Sequence, residues 1–374
     1  MARWNLAAAS VVLGALTTAA LAQTTGLKDV YRDDFQIGVA LGGKLPDSYS
    51  RAEIQMIVNQ FNAVTPENCM KPQSVHPQEN VWTFDEADAL VQFARDHHMA
   101  VYGHALVWHN QTPTWFFEDG AMPASRELAL QRLKEHIQTV VGRYKGQIRS
   151  WDVVNEAISD GPAEYLRKTK WLTTIGPDYI DQAFRMAHEA DPDVELQYND
   201  YNIENGVKHQ HAMKLLRGLK ERGIPITSVG IQGHWLLDRI PYSDIETAID
   251  DFQQLGLKVS FTEVDLDVLP RHTNGADVGS KEMPNASLAL SGTALDDVLK
   301  RQADQYARLF RLFDQRKAVI ERVTFWGADD GRSWLNTWPS HRENHALLFD
   351  RQFQPKPAFF AVINALTPPP APGQ

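Results

Sequence analysis

The chain of 374 residues contains a single cysteine, Cys69. One cysteine excludes an intramolecular disulfide and a cysteine-based metal cluster. Such a cysteine is more often a small buried residue beside a strand than a nucleophile. The fold must therefore be stabilised by its core, and we expect no metal ion and no cofactor at the functional site.

An excess of positive charge is also absent. The chain has 37 Lys and Arg against 47 Asp and Glu, which gives a net charge of −10. A surface of this sign repels a phosphate backbone. Nucleic acid is therefore excluded as a partner, whereas a neutral polymer remains compatible.

Long apolar runs are missing except at the N-terminus. Arg3 precedes an Ala-rich apolar run over residues 6–21, and Ala20-Leu21-Ala22 is an A-x-A cleavage pattern. Ser and Thr dilute this run, so it does not reach the uninterrupted apolar length of a membrane anchor. The sequence predicts a signal peptide over residues 1–22, cleaved after Ala22. We expect a secreted or periplasmic monomer without a membrane partner.

The rest of the chain alternates strand and helix patterns eight times. The first short apolar run covers residues 37–42, and the last helix pattern covers residues 356–366. Capping boxes that start at Ser50 and Ser243 predict the N-termini of two of these helices. Near-continuous apolar strands alternating with helices predict an α/β fold of the (β/α)8 TIM-barrel type. This catalytic domain is expected over residues 23–366, followed by a Pro-rich tail over residues 367–374.

Polar and aromatic residues stand where the predicted strands end. In a barrel these ends share one face, and that face carries the active site. A buried Glu, His or Gln would be costly in a packed core, so a common polar cleft explains the pattern. The residues are Glu67 and Asn68 after the second strand, His104 and Trp108 after the third, Asn155 and Glu156 after the fourth, Tyr201 after the fifth, Gln232 and His234 after the sixth, Glu263 and Asp265 after the seventh, and Trp326 after the eighth.

Two strand-end carboxyls suit glycoside hydrolysis. One acid protonates the leaving oxygen while a second carboxylate faces the anomeric carbon. Tryptophans offer flat apolar platforms for sugar rings, and the chain has ten. Trp334 is a further candidate because it lies in a loop beyond the last strand.

Seven motifs in this order resemble the strand-end motifs of glycoside hydrolase family 10, the family of endo-β-1,4-xylanases. The resemblance covers residues 30–366, which is nearly the whole chain after the signal peptide. The motifs are TPENCMK (65–71), GHALVWH (103–109), WDVVNE (151–156), YNDYN (198–202), GIQGH (230–234), FTEVD (261–265) and FWG (325–327).

The resemblance implies a retaining double displacement on xylan and xylo-oligosaccharides, with Glu156 as acid/base and Glu263 as nucleophile. Asn155 would hold the sugar 2-hydroxyl, His234 would bond Glu263, and Asp265 would orient His234. The charge of Glu263 is expected to keep Glu156 protonated to a higher pH. The implied glycone-side contacts are Glu67, Asn68, Lys71, His104, Trp108, Gln232, Trp326 and Trp334. Tyr201 would contact the aglycone side.

Two other functions remain open from the sequence. Related barrels share the Asn-Glu end of the fourth strand, so a β-1,4-glucanase or a mixed xylanase/glucanase is one alternative. A non-catalytic carbohydrate-binding barrel is the other, although retention of both glutamates argues against it. The long polar segment over residues 270–292 is expected to border the leaving-group side of the cleft.

Overall fold

Eight parallel strands form the centre of the molecule. The computed structural model describes residues 25–271, 275–278 and 289–366, so the predicted signal peptide, the Pro-rich tail and part of the 270–292 segment lie outside the described residues. The strands are β1 (Gln36–Leu41), β2 (Ala63–Pro66), β3 (Ala100–Gly103), β4 (Ser150–Asn155), β5 (Glu195–Asp200), β6 (Ser228–Ile231), β7 (Lys258–Asp267) and β8 (Ile320–Phe325).

The sheet closes on itself. Each strand pairs in parallel with its neighbours in chain order, and β8 pairs with both β7 and β1. Nearly every residue of these strands is buried, because the barrel interior covers one face and the helices cover the other. The predicted (β/α)8 TIM barrel is confirmed.

One principal helix follows each strand. They are α1 (Arg51–Gln60), α2 (Asp85–Asp96), α3 (Arg126–Arg143), α4 (Tyr179–Ala190), α5 (Gly206–Glu221), α6 (Tyr242–Gln254), α7 (Gly292–Gln315) and α8 (Pro357–Ile363). Shorter elements are the helices Leu27–Val30, Pro72–Val75 and Lys170–Ile175, the 3-10 turns Thr114–Phe117 and Trp334–Asn336, the strand pair Glu118–Asp119 and Met122–Pro123, and the strand His234–Leu236. Across the described ranges, none of the helices has both the length and the apolar character needed to cross a membrane.

The helix starts show where local signals succeed and where they fail. Ser50 forms the predicted capping box with Glu53 at the start of α1. The capping box predicted at Ser243 is wrong, because α6 begins one residue earlier, at Tyr242. The carbonyl of Pro241 accepts the first helical bond, from the Ile245 amide at 2.9 Å. Pro241 has no side-chain acceptor, so the start of α6 has no side-chain cap.

Two strand ends also differ from the prediction. The third apolar run covers residues 100–107 and predicts a strand that reaches Val107, but β3 ends at Gly103, and Val107 keeps only an isolated bridge to Val154. The seventh apolar run predicts a strand over residues 259–263, but β7 is longer and runs on to Asp267. Its extension pairs in parallel with the strand His234–Leu236, in a register that sets His234 opposite Asp265.

Candidate active site

A cleft at the carboxyl ends of the strands gathers most of the predicted site residues. Its walls include Glu67, Asn68, Lys71, His104, Trp108, Asn155, Glu156, Gln232, His234, Glu263, Trp326 and Trp334. Asp265 lies behind this wall and reaches it through His234. Residues from six of the eight strand ends therefore meet at one face, as expected of a barrel enzyme.

Chemistry rather than size distinguishes this cleft. Its volume is about 130 Å³, whereas a hollow of about 890 Å³ lies outside the barrel between α4 and α5. The larger hollow is walled by helix side chains such as Ile180 and Met213. The cleft, in contrast, brings two buried glutamates together with indole rings and amides.

Glu156 is enclosed and keeps its proton unusually well. Its side chain accepts from Trp108 Nε1 at 2.9 Å and from Gln232 Nε2 at 3.0 Å, and the residue is only 4% exposed. Burial, followed by the charge of Asp200, raises the pKa of Glu156 to about 7. The direction agrees with the sequence prediction, but Glu263 is not among the main causes.

The backbone of Glu156 adopts a left-handed conformation, with φ of 56°. This region is costly for a residue with a long side chain. Successive residues of a regular strand point to opposite faces, yet Asn155 and Glu156 both line the cleft. The change of backbone direction at Glu156 brings both side chains to the same side.

Glu263 is held as a carboxylate. Asn199 Nδ2 donates to its Oε1 at 2.8 Å, and His234 Nε2 lies 3.1 Å from its Oε2. Burial alone would raise its pKa, but the His234 bond, the charges of His104 and His234, and the Asn199 bond together lower the pKa of Glu263. The pKa values of the two buried glutamates of the cleft, Glu156 and Glu263, are therefore shifted in opposite directions.

His234 links Glu263 to a second carboxylate. Its Nδ1 lies 3.0 Å from Asp265 Oδ2, which also accepts from Trp334 Nε1 at 2.8 Å. Burial opposes the charge on His234, but Asp265 and Glu263 outweigh it and raise its pKa to about 9. The imidazolium then donates from both nitrogens and fixes the orientation of Glu263.

A group of polar residues lies beside the glutamates on the side of strands β2 and β3. Lys71 Nζ donates to Asn68 at 3.1 Å and to Gln111 at 2.9 Å, and it lies 4.6 Å from the Trp108 ring. His104 Nδ1 bonds Asp152 at 2.9 Å. These hydrogen bonds hold donors and acceptors in fixed positions at the wall of the cleft.

Glu67 lies against a glycine next to the neighbouring strand end. A Cβ atom at Gly42 would lie 2.5 Å from Glu67 Oε2. Burial raises the pKa of this carboxyl as well. The close approach lets Glu67 lie against the β1 end while still lining the cleft.

Trp326 stands edge-on to two histidines of the cleft. Trp326 makes edge contacts with His104, at 5.3 Å between ring centroids, and with His234, at 6.3 Å. Trp334 stacks on Trp338 at 4.6 Å. Rings packed in this way offer fixed apolar faces to a ligand.

Tyr201 lies in a neighbouring hollow rather than in the cleft itself. It shares this hollow with Asp160, Lys208 and Asp277. Asp277 belongs to the described part of the 270–292 segment, and Ala276 and Val278 of the same stretch line the main cleft. The segment therefore borders the site at residues 275–278.

Three residues with evident roles were not among the predicted site residues. Asn199 donates a hydrogen bond to Glu263, and Gln111 accepts one from Lys71. Arg167 Nε donates to the backbone oxygen of Glu156 at 3.1 Å. Asn199 stands at a strand end, so its position was a usable signal. Gln111 and Arg167 lie in loops, where the sequence carried no such signal.

Cys69 is buried, and burial raises the pKa of its thiol to about 12, so it is a poor nucleophile. Within the residues that the structure describes, no group of three or more His, Cys, Asp and Glu side chains is arranged to hold a metal ion.

Fold and cleft together define the class of protein. One buried carboxyl that retains its proton and one held as a carboxylate, set among indole rings, supply the acid and the second carboxylate that cleavage of a glycosidic bond requires. The protein is a glycoside hydrolase.

The chain belongs to glycosyl hydrolase family 10, whose family model matches residues 26–365. It is similar to a β-1,4-xylanase of Dictyoglomus thermophilum, with 41% identity over 338 residues that make up 90% of each chain. A family 10 endoxylanase from a sugarcane soil metagenome has a solved structure with a TM-score of 0.86, 38% identity, and coverage of 91% of this chain and 99% of that one. An intracellular xylanase of Thermoanaerobacterium saccharolyticum, solved as a mutant with xylotriose, has a TM-score of 0.78, 41% identity, and coverage of 90% and 97%.

Proposed function

We propose that this protein is an endo-β-1,4-xylanase that cleaves internal bonds of xylan with retention of anomeric configuration. The observation that carries the proposal is the opposite protonation of two buried glutamates in one cleft. Burial raises the pKa of Glu156 to about 7, whereas the pKa of Glu263 is lowered. A retaining mechanism needs one acid and one carboxylate nucleophile in these states.

In the first step, protonated Glu156 gives its proton to the glycosidic oxygen. Glu263 attacks the anomeric carbon, the bond to the leaving oxygen breaks, and a glycosyl ester forms on Glu263. Asn199 and His234 hold Glu263 through its two oxygens, so the nucleophile reacts from a fixed position. Asn155 is proposed to bind the sugar 2-hydroxyl, a contact that strengthens in the transition state.

In the second step, Glu156 acts as a base because it has already lost its proton. It accepts a proton from water while the water oxygen attacks the anomeric carbon and Glu263 departs as a carboxylate. Glu156 is then protonated again. Trp108 and Gln232 hold the Glu156 side chain through both steps, since each bonds one of its oxygens.

The substrate assignment is supported by the relatives. The similar proteins are described as xylanases, and one was solved with xylotriose. Glu67, Asn68, Lys71, His104, Trp108, Gln232, Trp326 and Trp334 are proposed to bind the glycone side, and Tyr201 the aglycone side.

The test compares reducing-end release from linear xylan with release from carboxymethyl cellulose. We expect kcat/KM on xylan to exceed that on the cellulose derivative by at least about 100-fold, a ratio that follows if fitted contacts reject the extra hydroxymethyl groups. NMR of the first products should show the β-anomer. Comparable values on both polymers would favour the glucanase alternative, an α-anomer would rule out retention, and no release from either would favour a binding protein.

We also propose that the chain is exported and acts as a monomer. Arg3, the apolar run over residues 6–21 and the A-x-A pattern at Ala20 to Ala22 support export. Expression of the full chain in a bacterial host should yield active protein outside the cytoplasm whose N-terminus, read by mass spectrometry, is Gln23. Light scattering should give a mass below the 42.2 kDa of the full chain. Activity confined to the cytoplasm with residues 1–22 retained would contradict export, and a doubled mass would contradict the monomer.

A further inference from the structure

The loop after β4 folds back so that Arg167 lies beside the end of the strand that carries Glu156. Residues 156–167 leave the strand, Ile158 pairs with Leu166, and the Arg167 amide donates to the Ala157 carbonyl at 2.8 Å. This closed loop brings the Arg167 side chain beside Glu156, where its Nε donates to the Glu156 carbonyl at 3.1 Å.

The other end of the guanidinium is also fixed. One Nη atom donates to Tyr201 at 2.7 Å and to Asp160 at 3.0 Å, and the other lies 3.5 Å from Asp277. The Tyr201 hydroxyl in turn donates to Asp160 at 2.6 Å. Arg167 therefore connects the catalytic strand end, the proposed aglycone wall and the segment after β7.

We propose that Arg167 is a positioning residue for Glu156, holding its left-handed backbone so that the carboxyl meets the leaving oxygen. The proposal rests on the proposed function. A left-handed glutamate is costly and persists only where surrounding bonds impose it. Two bonds do so here, from the Glu156 amide to the Asn199 carbonyl at 2.9 Å and from Arg167 to the Glu156 carbonyl.

Arg167 also acts on the proton of Glu156. Its charge lowers the pKa of Glu156 and so offsets part of the effect of burial and Asp200. The charged and titratable groups around Glu156 are Lys71 after β2, His104 after β3, Asp200 and Tyr201 at the β5 end, His234 after β6, Glu263 on β7, and Arg167 in its own loop. Without Arg167, less positive charge near Glu156 offsets the effect of Asp200 on its pKa.

Two substrates separate positioning of the acid from general damage. Phenyl β-xylobioside has a poor leaving group that needs protonation, whereas 2,4-dinitrophenyl β-xylobioside has a good one that does not. Arg167→Met should lower kcat/KM on the phenyl substrate by about tenfold or more, within the range of acid catalysis. On the dinitrophenyl substrate kcat/KM should change by less than about threefold, because the first step then needs no acid.

The pH profile gives a second measurement. Loss of the Arg167 charge raises the pKa of Glu156, so the basic limb of kcat/KM in Arg167→Met should move upward by about half a pH unit. Arg167→Lys keeps the charge but offers no planar fork to bond Glu156, Asp160 and Tyr201 together. This variant should keep the limb of the wild type and still lose activity on the phenyl substrate.

The matched control is Arg126→Met. Arg126 makes a two-bond ion pair with Asp178, at 2.9 and 2.6 Å, away from the cleft, and its loss should leave both substrates and the limb unchanged. The proposal would be overturned if Arg167→Lys lost kcat/KM equally on both substrates, or lost none on either. The lysine variant also serves as the test if Arg167→Met does not fold. A wild type inactive on xylan and on both aryl xylobiosides would instead overturn the proposed function.

Discussion

Replacing Glu263 by alanine is expected to lower kcat on xylan by on the order of 10⁵-fold, the scale seen when a covalent nucleophile is removed. The reason is that hydrogen bonds from Asn199 and His234 hold Glu263 ionised at the cleft. Among the described residues, no other side chain receives this pair of bonds, so none can replace Glu263. Thermal unfolding should show that the variant is folded. The measurement is initial rate of reducing-end release.

Azide distinguishes the loss of a nucleophile from a general loss of activity. In Glu263→Ala a small anion can enter the vacated space and attack the anomeric carbon of an activated aryl xylobioside, while Glu156 remains available as the acid. Attack from that face should give the α-glycosyl azide, identified by NMR. A β-glycosyl azide would show that Glu263 is not the nucleophile.

Replacing Glu156 by alanine is expected to lower kcat/KM on xylan by about 10²- to 10⁴-fold, the range of general acid catalysis. On dinitrophenyl β-xylobioside the first step should be nearly unaffected, because the leaving group departs without a proton. The glycosyl ester on Glu263 should then accumulate, since no base activates water. Azide should relieve this block and give the β-glycosyl azide.

The pH profile of the wild type and of Glu156→Ala tests the same role. Glu156 must be protonated to act as an acid, and its pKa is raised to about 7. Activity of the wild type should therefore persist to about pH 7 and fall above it. In Glu156→Ala this basic limb should disappear. A limb that persists in the variant would assign the titration to another group, with His234 the first candidate because its pKa is raised to about 9.

The electrostatics of the cleft depend on partners distant in sequence. Asn199, which lies 64 residues earlier in the chain, donates a hydrogen bond to Glu263. Gln232, which lies 76 residues after Glu156, donates one to Glu156. The sequence predicted that Glu156 would retain its proton, but it assigned the effect to Glu263. The structure attributes it to burial and to Asp200, because the strand-end register, rather than the spacing along the chain, decides which charges face each other.

Loop residues were the least predictable part of the site. Gln111 follows the GHALVWH motif, and Arg167 closes an irregular loop after WDVVNE. Neither has a helical or strand period that would place it. Both nevertheless bond residues of the cleft, to Lys71 and to Glu156 respectively.

The sequence by itself determined the barrel and the set of residues at its mouth. Apolar strands alternating with helices favour one closed parallel sheet, and parallel strands end at one face, so residues such as Asn155, Glu156 and Glu263 had to converge there. Only the tertiary structure decided the left-handed turn at Glu156, the pairing that sets His234 opposite Asp265, and the arginine that holds the strand end. These features depend on contacts between segments far apart in the chain, and such contacts exist only once the barrel has closed.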